Sequence, residues 1–255
     1  TTHAEYFASR RRLLNPPWDR KQLTLREIRR AGHVLAGDPN DLRIFGMAPI
    51  AWYALGIRIL GRTAVEVTRD QHAGFLAKSV AHTLASEGHR ISDIIDPFVG
   101  SGNLLYHLLR ATKATRGCGF DINADIIALT ERNFSRLRPL RKLRHARLTF
   151  LRRDWSQSPS CIENRATLVI VCPPWGDAFD EAGLDLRKTK PPVPDVLRTL
   201  RESVISEPIF ALIQTHPSMV RESVDAIKQD YTALPTIKSG DPAIFERIDY
   251  ILLRL

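Results

Sequence analysis

The stretch DIIDPFVGSGNLLYHLL, residues 93–109, sets how the rest of the chain folds. A short apolar run ends at the acidic Asp96, Gly100-Ser101-Gly102 follows, and from Asn103 the apolar residues recur at helical spacing. Strand, tight turn and helix in that order make the first half of a βαβ unit. Small residues at the turn let backbone N–H groups approach a ligand at the helix N-terminus. The same glycines also serve a tight turn that binds nothing.

Outward from this unit, short apolar runs at 93–97, 116–120, 147–151, 167–172, 208–214 and 247–254 read as strands, with helices over 103–112 and 123–137. The alternation predicts a doubly wound α/β fold with a largely parallel sheet. The last strand, preceded by a meander rather than a long helix, is expected to pair antiparallel at the sheet edge. Toward the N-terminus, a helix over 4–14 is stopped by Asn15-Pro16-Pro17, because proline removes a donor and biases the preceding residue out of helical space. Thr24 and Glu27 have capping-box spacing and open a second helix ending near Gly32 or Gly37. A third helix is expected over 47–60. Residues 1–60 thus read as a small, basic, helical appendage, and residues 61–255 as the α/β domain.

The chain has 255 residues, and 37 Lys and Arg against 28 Asp and Glu leave a formal charge of +9, a field that attracts phosphates, nucleotides or anionic surfaces. Three cysteines, Cys118, Cys161 and Cys172, without CxxC spacing argue against a disulfide framework or a structural zinc site. The eight histidines show no HExxH spacing, so no metal is expected. No apolar run reaches the roughly 18 residues that span a bilayer, and the N-terminus lacks a signal-peptide core. The expectation is a soluble, cytoplasmic protein without a membrane partner, its oligomeric state left open.

Chemistry-bearing residues fall at the carboxyl ends of four successive strands, where open α/β sheets bind ligands. Asp96 ends the first. Asp121, in GCGFDIN (117–123), ends the second, where a carboxylate can accept both hydroxyls of a ribose. Asp154-Trp155 follows the third and could hold the amine and face of an adenine, although an isolated aspartate there reads as a solvated turn. Cys172-Pro173-Pro174-Trp175 follows the fourth. Trp175 by itself has a second, less favoured reading as a core tryptophan.

In this order, DPFVGSGN (96–103), GFDIN (119–123), RRDW (152–155) and VCPPWG (171–176) resemble motifs I to IV of the class I S-adenosylmethionine-dependent methyltransferases. The likeness is to the branch that methylates planar amines through an Asp/Asn/Ser-Pro-Pro-aromatic loop. VEVTRDQHAGFLAKSVA (65–81) is similar to the helix that this branch places before motif I to cover the methionine part of the cofactor. The resemblance spans about residues 61–255. It implies a seven-stranded Rossmann-like sheet and S-adenosyl-L-methionine held by Thr68, Asp96, Phe98, Gly100, Gly102, Asn103, Asp121, Ile122, Asp154 and Trp155. It further implies a catalytic loop of Cys172, Pro173, Pro174 and Trp175, with Trp175, Asp177 and Arg187 facing the substrate. DPFVGSGNLL is similar to the guanine-modifying tRNA methyltransferases, whereas PPWG, LDLR (184–187) and the helical appendage look more like RNA-cap trimethylguanosine synthases. The implied acceptor is guanine in RNA or a cap-like nucleotide, with a small-molecule amine of a biosynthetic pathway as the alternative. A non-catalytic RNA-binding module is a third reading, against which the Gly100, Gly102 and Asp121 pattern counts.

An exocyclic amine conjugates its lone pair into the ring, so it must be turned toward the methyl donor. Acceptors holding its N–H groups do this and stabilise the charge that builds on nitrogen. Two prolines keep those carbonyls aimed, and an aromatic side chain stacks on the base. This chain departs from the family in having Cys172 at the first loop position. A thiol is a weak acceptor, so amine activation would fall to the main-chain carbonyls of Cys172 and Pro173. Nucleophilic catalysis by Cys172 lacks a histidine and acid at recognisable spacing.

The loop GDAFDEAGLDLRKTKPPVPD (176–195) reads as a lid, with Asp177, Asp180, Asp185 and Arg187 as its polar candidates. His216 either lines the site or occupies a turn. The basic run containing Arg136, Arg138, Arg141, Lys142, Arg144 and Arg147 reads as a solvated face remote from the catalytic edge. RNA contacts are sought instead on Arg10, Arg11, Arg12, Lys21, Arg26, Arg29 and Arg30. Asn15-Pro16-Pro17-Trp18 matches the family loop in letters better than residues 172–175 do, but no strand precedes it, and it reads as a helix stop.

Overall fold

The computed structural model describes residues 3–140, 143–180, 182–203, 208–235, 237–238 and 249–255. Helix α1 (His3–Leu14) ends before the two prolines. Helix α2 (Leu25–Ala36) begins with the full Thr24–Glu27 capping box and ends at Gly37, whose φ of 82° a side chain would resist. Helices α3 (Pro49–Ala54), α4 (Gly61–Glu66) and α5 (Asp70–Ser86) follow. The single helix expected over 47–60 is therefore cut short. Gly56 turns left-handed at φ 82°, and Asn133 clamps the backbone of Arg58, accepting its N–H at 3.0 Å and donating to its carbonyl at 2.8 Å.

The α/β portion runs β1 (Asp93–Asp96), α6 (Asn103–Thr112), β2 (Arg116–Asp121), α7 (Ala124–Leu137), β3 (Arg147–Arg152) and β4 (Thr167–Val171). Strands β5 (Phe179–Asp180) and β6 (Gly183–Leu184) form a separate small hairpin. Then come α8 (Val193–Arg201), β7 (Ile209–Thr215), α9 (Arg221–Asp230), β8 (Thr232–Ala233), β9 (Ile237–Lys238) and β10 (Asp249–Arg254). The main sheet is ordered β3-β2-β1-β4-β7-β10-β8, with β9 also on β10. Strands β3 to β7 along this path are parallel, while β10 is antiparallel to β7. This is the doubly wound Rossmann-like sheet of seven strands in one path, with β9 as an eighth.

Two expectations about the last strand change. β10 is antiparallel, but it lies inside the sheet because β8 and β9 pair with its outer side. The segment before it contains α9, whose Val224 and Ile227 are buried on one face, rather than a meander alone. Residues 247 and 248, the start of the expected strand, lie outside the described residues.

Period-two alternation divides the central strands between two cores. Ile94, Leu168, Ile170, Phe210 and Leu212 pack against α5 and α6. Ile95, Val169, Val171, Ala211 and Ile213 pack against α8 and α9. A third cluster joins the N-terminal segment to α6 and α7: Phe45 meets Tyr106 and Phe134 edge to face at 5.3 and 5.6 Å. The buried Asn103 fixes the same join, accepting from the Phe45 N–H and donating to the Thr68 carbonyl, both at 2.7 Å.

Candidate active site

The sheet order reverses between β1 and β4, so the helices that follow these strands leave on opposite faces and open a crevice at their carboxyl ends. A cavity of about 430 Å³ occupies that position. Its lining brings together Thr68, Asp96, Phe98, Gly100, Asn103, Asp121, Ile122, Asp154 and Trp155 with Cys172, Pro173, Pro174 and Trp175.

Asp96 is 3% exposed and accepts the Phe98 N–H at 3.1 Å. Burial raises its carboxyl to about 7, against this single opposing hydrogen bond. Such a group holds a cation well but has none from the chain among the described contacts. Asp121 ends β2, accepts the Asn123 N–H at 2.8 Å, and is likewise raised, chiefly by burial. Gly100 adopts φ 48° between these two acids, and a Cβ there would meet only the Phe98 carbonyl oxygen, 3.9 Å away. A side chain would instead extend into the cavity, whose wall Gly100 forms. Ile122, next to Asp121 in the chain, stands 68% exposed and lines the cavity, as does the half-buried Trp155 on the turn capped by Asp154. A nucleoside with a positively charged tail fits this set: apolar faces for a base, Asp121 for a ribose, Asp96 for a cationic group.

Several expected residues are engaged elsewhere or lie outside the cavity lining. Asn103 lines the cavity, yet both polar ends of its side chain are engaged by Phe45 and Thr68, so it holds the N-terminal segment in place. Gly102 is not in the lining; at φ 74° it turns the chain where a Cβ would lie 2.6 Å from the Phe134 ring. Asp177 is exposed and outside the lining. Arg187 is also outside it, paired bidentately with Asp185 at 2.9 Å to brace the loop. Asp180 accepts the Ala182 N–H in a local turn.

The Pro-Pro-Trp loop leaves β4 directly. Cys172 faces the cavity, and burial, then the nearby Asp96, push its thiol far above the ordinary range. It remains protonated near neutrality, which disfavours a thiolate nucleophile. Trp175 packs edge-on to Phe179 at 5.2 Å and to His216 at 6.2 Å. His216 lines the cavity and its Nδ1 accepts the Ser218 N–H at 3.0 Å, which places the proton of the neutral ring on Nε2.

Helix α1 supplies a further wall that no motif in the sequence marks. Tyr6 and Arg10, one turn apart on one helix face, both line the cavity. Arg10 donates to the Gly176 carbonyl from Nη1 and Nη2 at 3.4 and 3.3 Å, and its guanidinium sits 5.3 Å from the Phe179 ring centre. Phe7 touches the same ring at 5.9 Å. The i, i+4 spacing puts Tyr6 and Arg10 on one face, but nothing local says where that face lands. Lys190, Pro191 and Gln214 also join the lining. The remaining appendage arginines named for RNA contact behave differently: Arg26, Arg29 and Arg30 are exposed along α2, and Arg12 covers Trp18. Arg136, Arg138, Arg144 and Arg147 are exposed as a solvated face, while 141 and 142 lie outside the described residues.

Among the described residues, no group of three His, Cys, Asp or Glu side chains could hold a metal ion, and no helix is long and apolar enough to cross a membrane. No family model and no curated protein sequence matches the chain. Solved structures similar to it include an rRNA methylase from Streptococcus thermophilus, at 14% identity over 69% of this chain and 95% of that one with a TM-score of 0.45. A precorrin-6y C5,15-methyltransferase from Geobacter metallireducens is 10% identical over 74% and 90% of the two chains, TM-score 0.46. The N-methyltransferase NodS from Bradyrhizobium japonicum is 9% identical over 69% and 93%, TM-score 0.44.

Proposed function

We propose that the chain is an S-adenosylmethionine-dependent N-methyltransferase acting on a planar amine, with guanine in RNA or a cap-like nucleotide as the acceptor. The observation that carries this reading is one cavity at the sheet's switch point, walled on one side by Asp96, Gly100 and Asp121 and on the other by Cys172-Pro173-Pro174-Trp175. The bound cofactor would supply an electrophilic methyl group on a sulfonium. The chain's own residues position the acceptor: carbonyls of Cys172 and Pro173 hold the amine N–H groups, and Trp175 stacks on the ring. Arg10 and Phe7 hold Phe179, which in turn packs on Trp175, so α1 belongs to the machinery that fixes the loop. On this reading residues 1–60 are an appendage to a methyltransferase domain over 61–255, and they contribute to its acceptor wall.

A second acceptor class, a small-molecule amine, is favoured by one feature. Tyr6 and Arg10 wall the cavity beside the catalytic loop and narrow the room for a polymer. Methyl transfer from labelled cofactor to total RNA and, in parallel, to a metabolite extract separates the two: label in RNA supports the guanine reading, and label only in small molecules overturns it. An RNA-binding module without catalysis predicts RNA affinity and no cofactor-induced rise in melting temperature.

A further inference from the structure

Two free thiols meet behind the cofactor side of the cavity. Cys118 Sγ and Cys161 Sγ lie 3.3 Å apart, 43 residues distant in sequence. Cys118 is 2% exposed in the middle of β2, and Cys161 is half-buried at the end of the 3-10 turn Trp155–Cys161. The start of that turn, Trp155, lines the cavity.

We propose that Cys118 and Cys161 are an oxidation site that a peroxide converts to a disulfide, and that closing this bond displaces the Trp155 turn and weakens cofactor binding. The first half stands on the thiol geometry; the second rests on the cofactor reading above. Cys161, the more accessible sulfur, attacks one peroxide oxygen; the O–O bond breaks, water leaves, and Cys161 becomes a sulfenic acid. Cys118 Sγ then attacks the Cys161 sulfur, the S–O bond breaks, and a second water leaves. Two thiols lose two electrons and two protons, and one peroxide becomes two waters. Burial and the Cys161 neighbour raise the Cys118 thiol to about 12, so it is the slower partner, but Arg116 and Arg153 act in the opposite direction. Its permanent contact with Cys161 substitutes proximity for thiolate abundance.

Bond formation requires the sulfurs to close to about 2.05 Å. Cys118 cannot move toward its partner cheaply, because Ile95 on β1 and Thr149 on β3 flank it in register. The displacement therefore falls on the turn, which the Arg116 Nη2 donation to the Cys161 carbonyl at 3.1 Å and the Ile162 N–H to Pro159 bond hold at its far end. Trp155, at the other end, takes up the change.

The test treats the reduced full chain with hydrogen peroxide, quenches free thiols with an alkylating reagent, and maps the peptides. The expected product lacks about 2 Da, carries a Cys118–Cys161 link, and reverts with dithiothreitol. Cys161→Ser should remove the link. A Cys161 that advances to sulfinic acid without a link, or a link to Cys172, overturns the proposal. In the same samples, oxidation should raise the S-adenosylmethionine Kd by about tenfold, read as a smaller melting-temperature rise, while the peroxide-treated Cys161→Ser protein keeps the full rise. A linked protein with an unchanged Kd overturns the coupling. If the reduced protein shows no rise at all, the cofactor reading and the coupling fail together, and the oxidation site is judged by the mapped link alone.

Discussion

The molecule contains Pro-Pro-Trp twice. In residues 15–18 the prolines end α1, and Trp18 lies under two cations, Arg12 and Lys21, each 4.2 Å from its ring centre. Its carbonyl also occupies the space a Cβ on Gly61 would need, at 2.1 Å, so the stretch locks the N-terminal segment onto α4. In residues 172–175 the same three letters leave a buried parallel strand at the switch point, and all four residues line the cavity. The first stretch begins with Asn, the second with Cys. Only the second is delivered to the cavity by the sheet.

That contrast can be broken by substitution. The largest effect expected is for Trp175→Ala, which should lower kcat/KM by roughly a hundredfold through lost stacking of about 1–3 kcal/mol and a loosened loop, with the cofactor-induced melting shift intact. If cofactor binding disappears instead, Trp175 belongs to the other half of the cavity. Asp96→Asn should flatten a pH dependence of cofactor binding. In the free protein burial raises Asp96 to about 7, so its proton is retained below that pH, whereas a cationic ligand requires the carboxylate. Affinity should therefore be full above pH 7 and fall by up to about tenfold per unit below it, as titration calorimetry from pH 5.5 to 8.5 (about that span) would read. A flat wild-type profile counts against Asp96 as the cation's partner.

Smaller effects sharpen the comparison. Arg10→Ala should raise acceptor KM and lower kcat several-fold, about three to tenfold, with Arg10→Lys recovering part of the loss, since a single charged donor can still reach the Gly176 carbonyl. Cys172→Asn, which puts an amide acceptor at the first loop position, should change kcat by less than about tenfold if main-chain carbonyls hold the amine. Trp18→Ala should cost about 1–2 kcal/mol of stability in urea denaturation and leave kcat/KM within about twofold. A Trp18 variant that folds normally yet loses turnover would make the N-terminal stretch part of the site.

Most of the sheet was legible because β4 and β7 are buried on both faces and so read as near-continuous apolar runs. Asp96 and Asp121, the proposed cofactor contacts, could be placed in the cavity wall for a related reason: both sit at strand ends, where local sequence and position in the fold coincide. What the sequence hid is tertiary. Tyr6 and Arg10 reach the cavity only through packing of α1 across a gap of more than a hundred and fifty residues to Gly176. The early end of α3 depends on Asn133 capturing Arg58, and β10 loses its edge position only when β8 and β9 return to it. Asp177 and Arg187, expected to face the substrate, are exposed and outside the cavity lining, a placement set by the loop's own turns.

The central claim, that the switch-point cavity holds S-adenosylmethionine, is tested most directly by thermal denaturation with and without that compound, for the wild-type chain and for Asp121→Ala. At about a hundredfold excess over Kd the wild type should gain about 2.7 kcal/mol, a rise of roughly 5–10 °C, and Asp121→Ala should lose most of it. No rise in the wild type, or an equal rise in both proteins, would contradict the account.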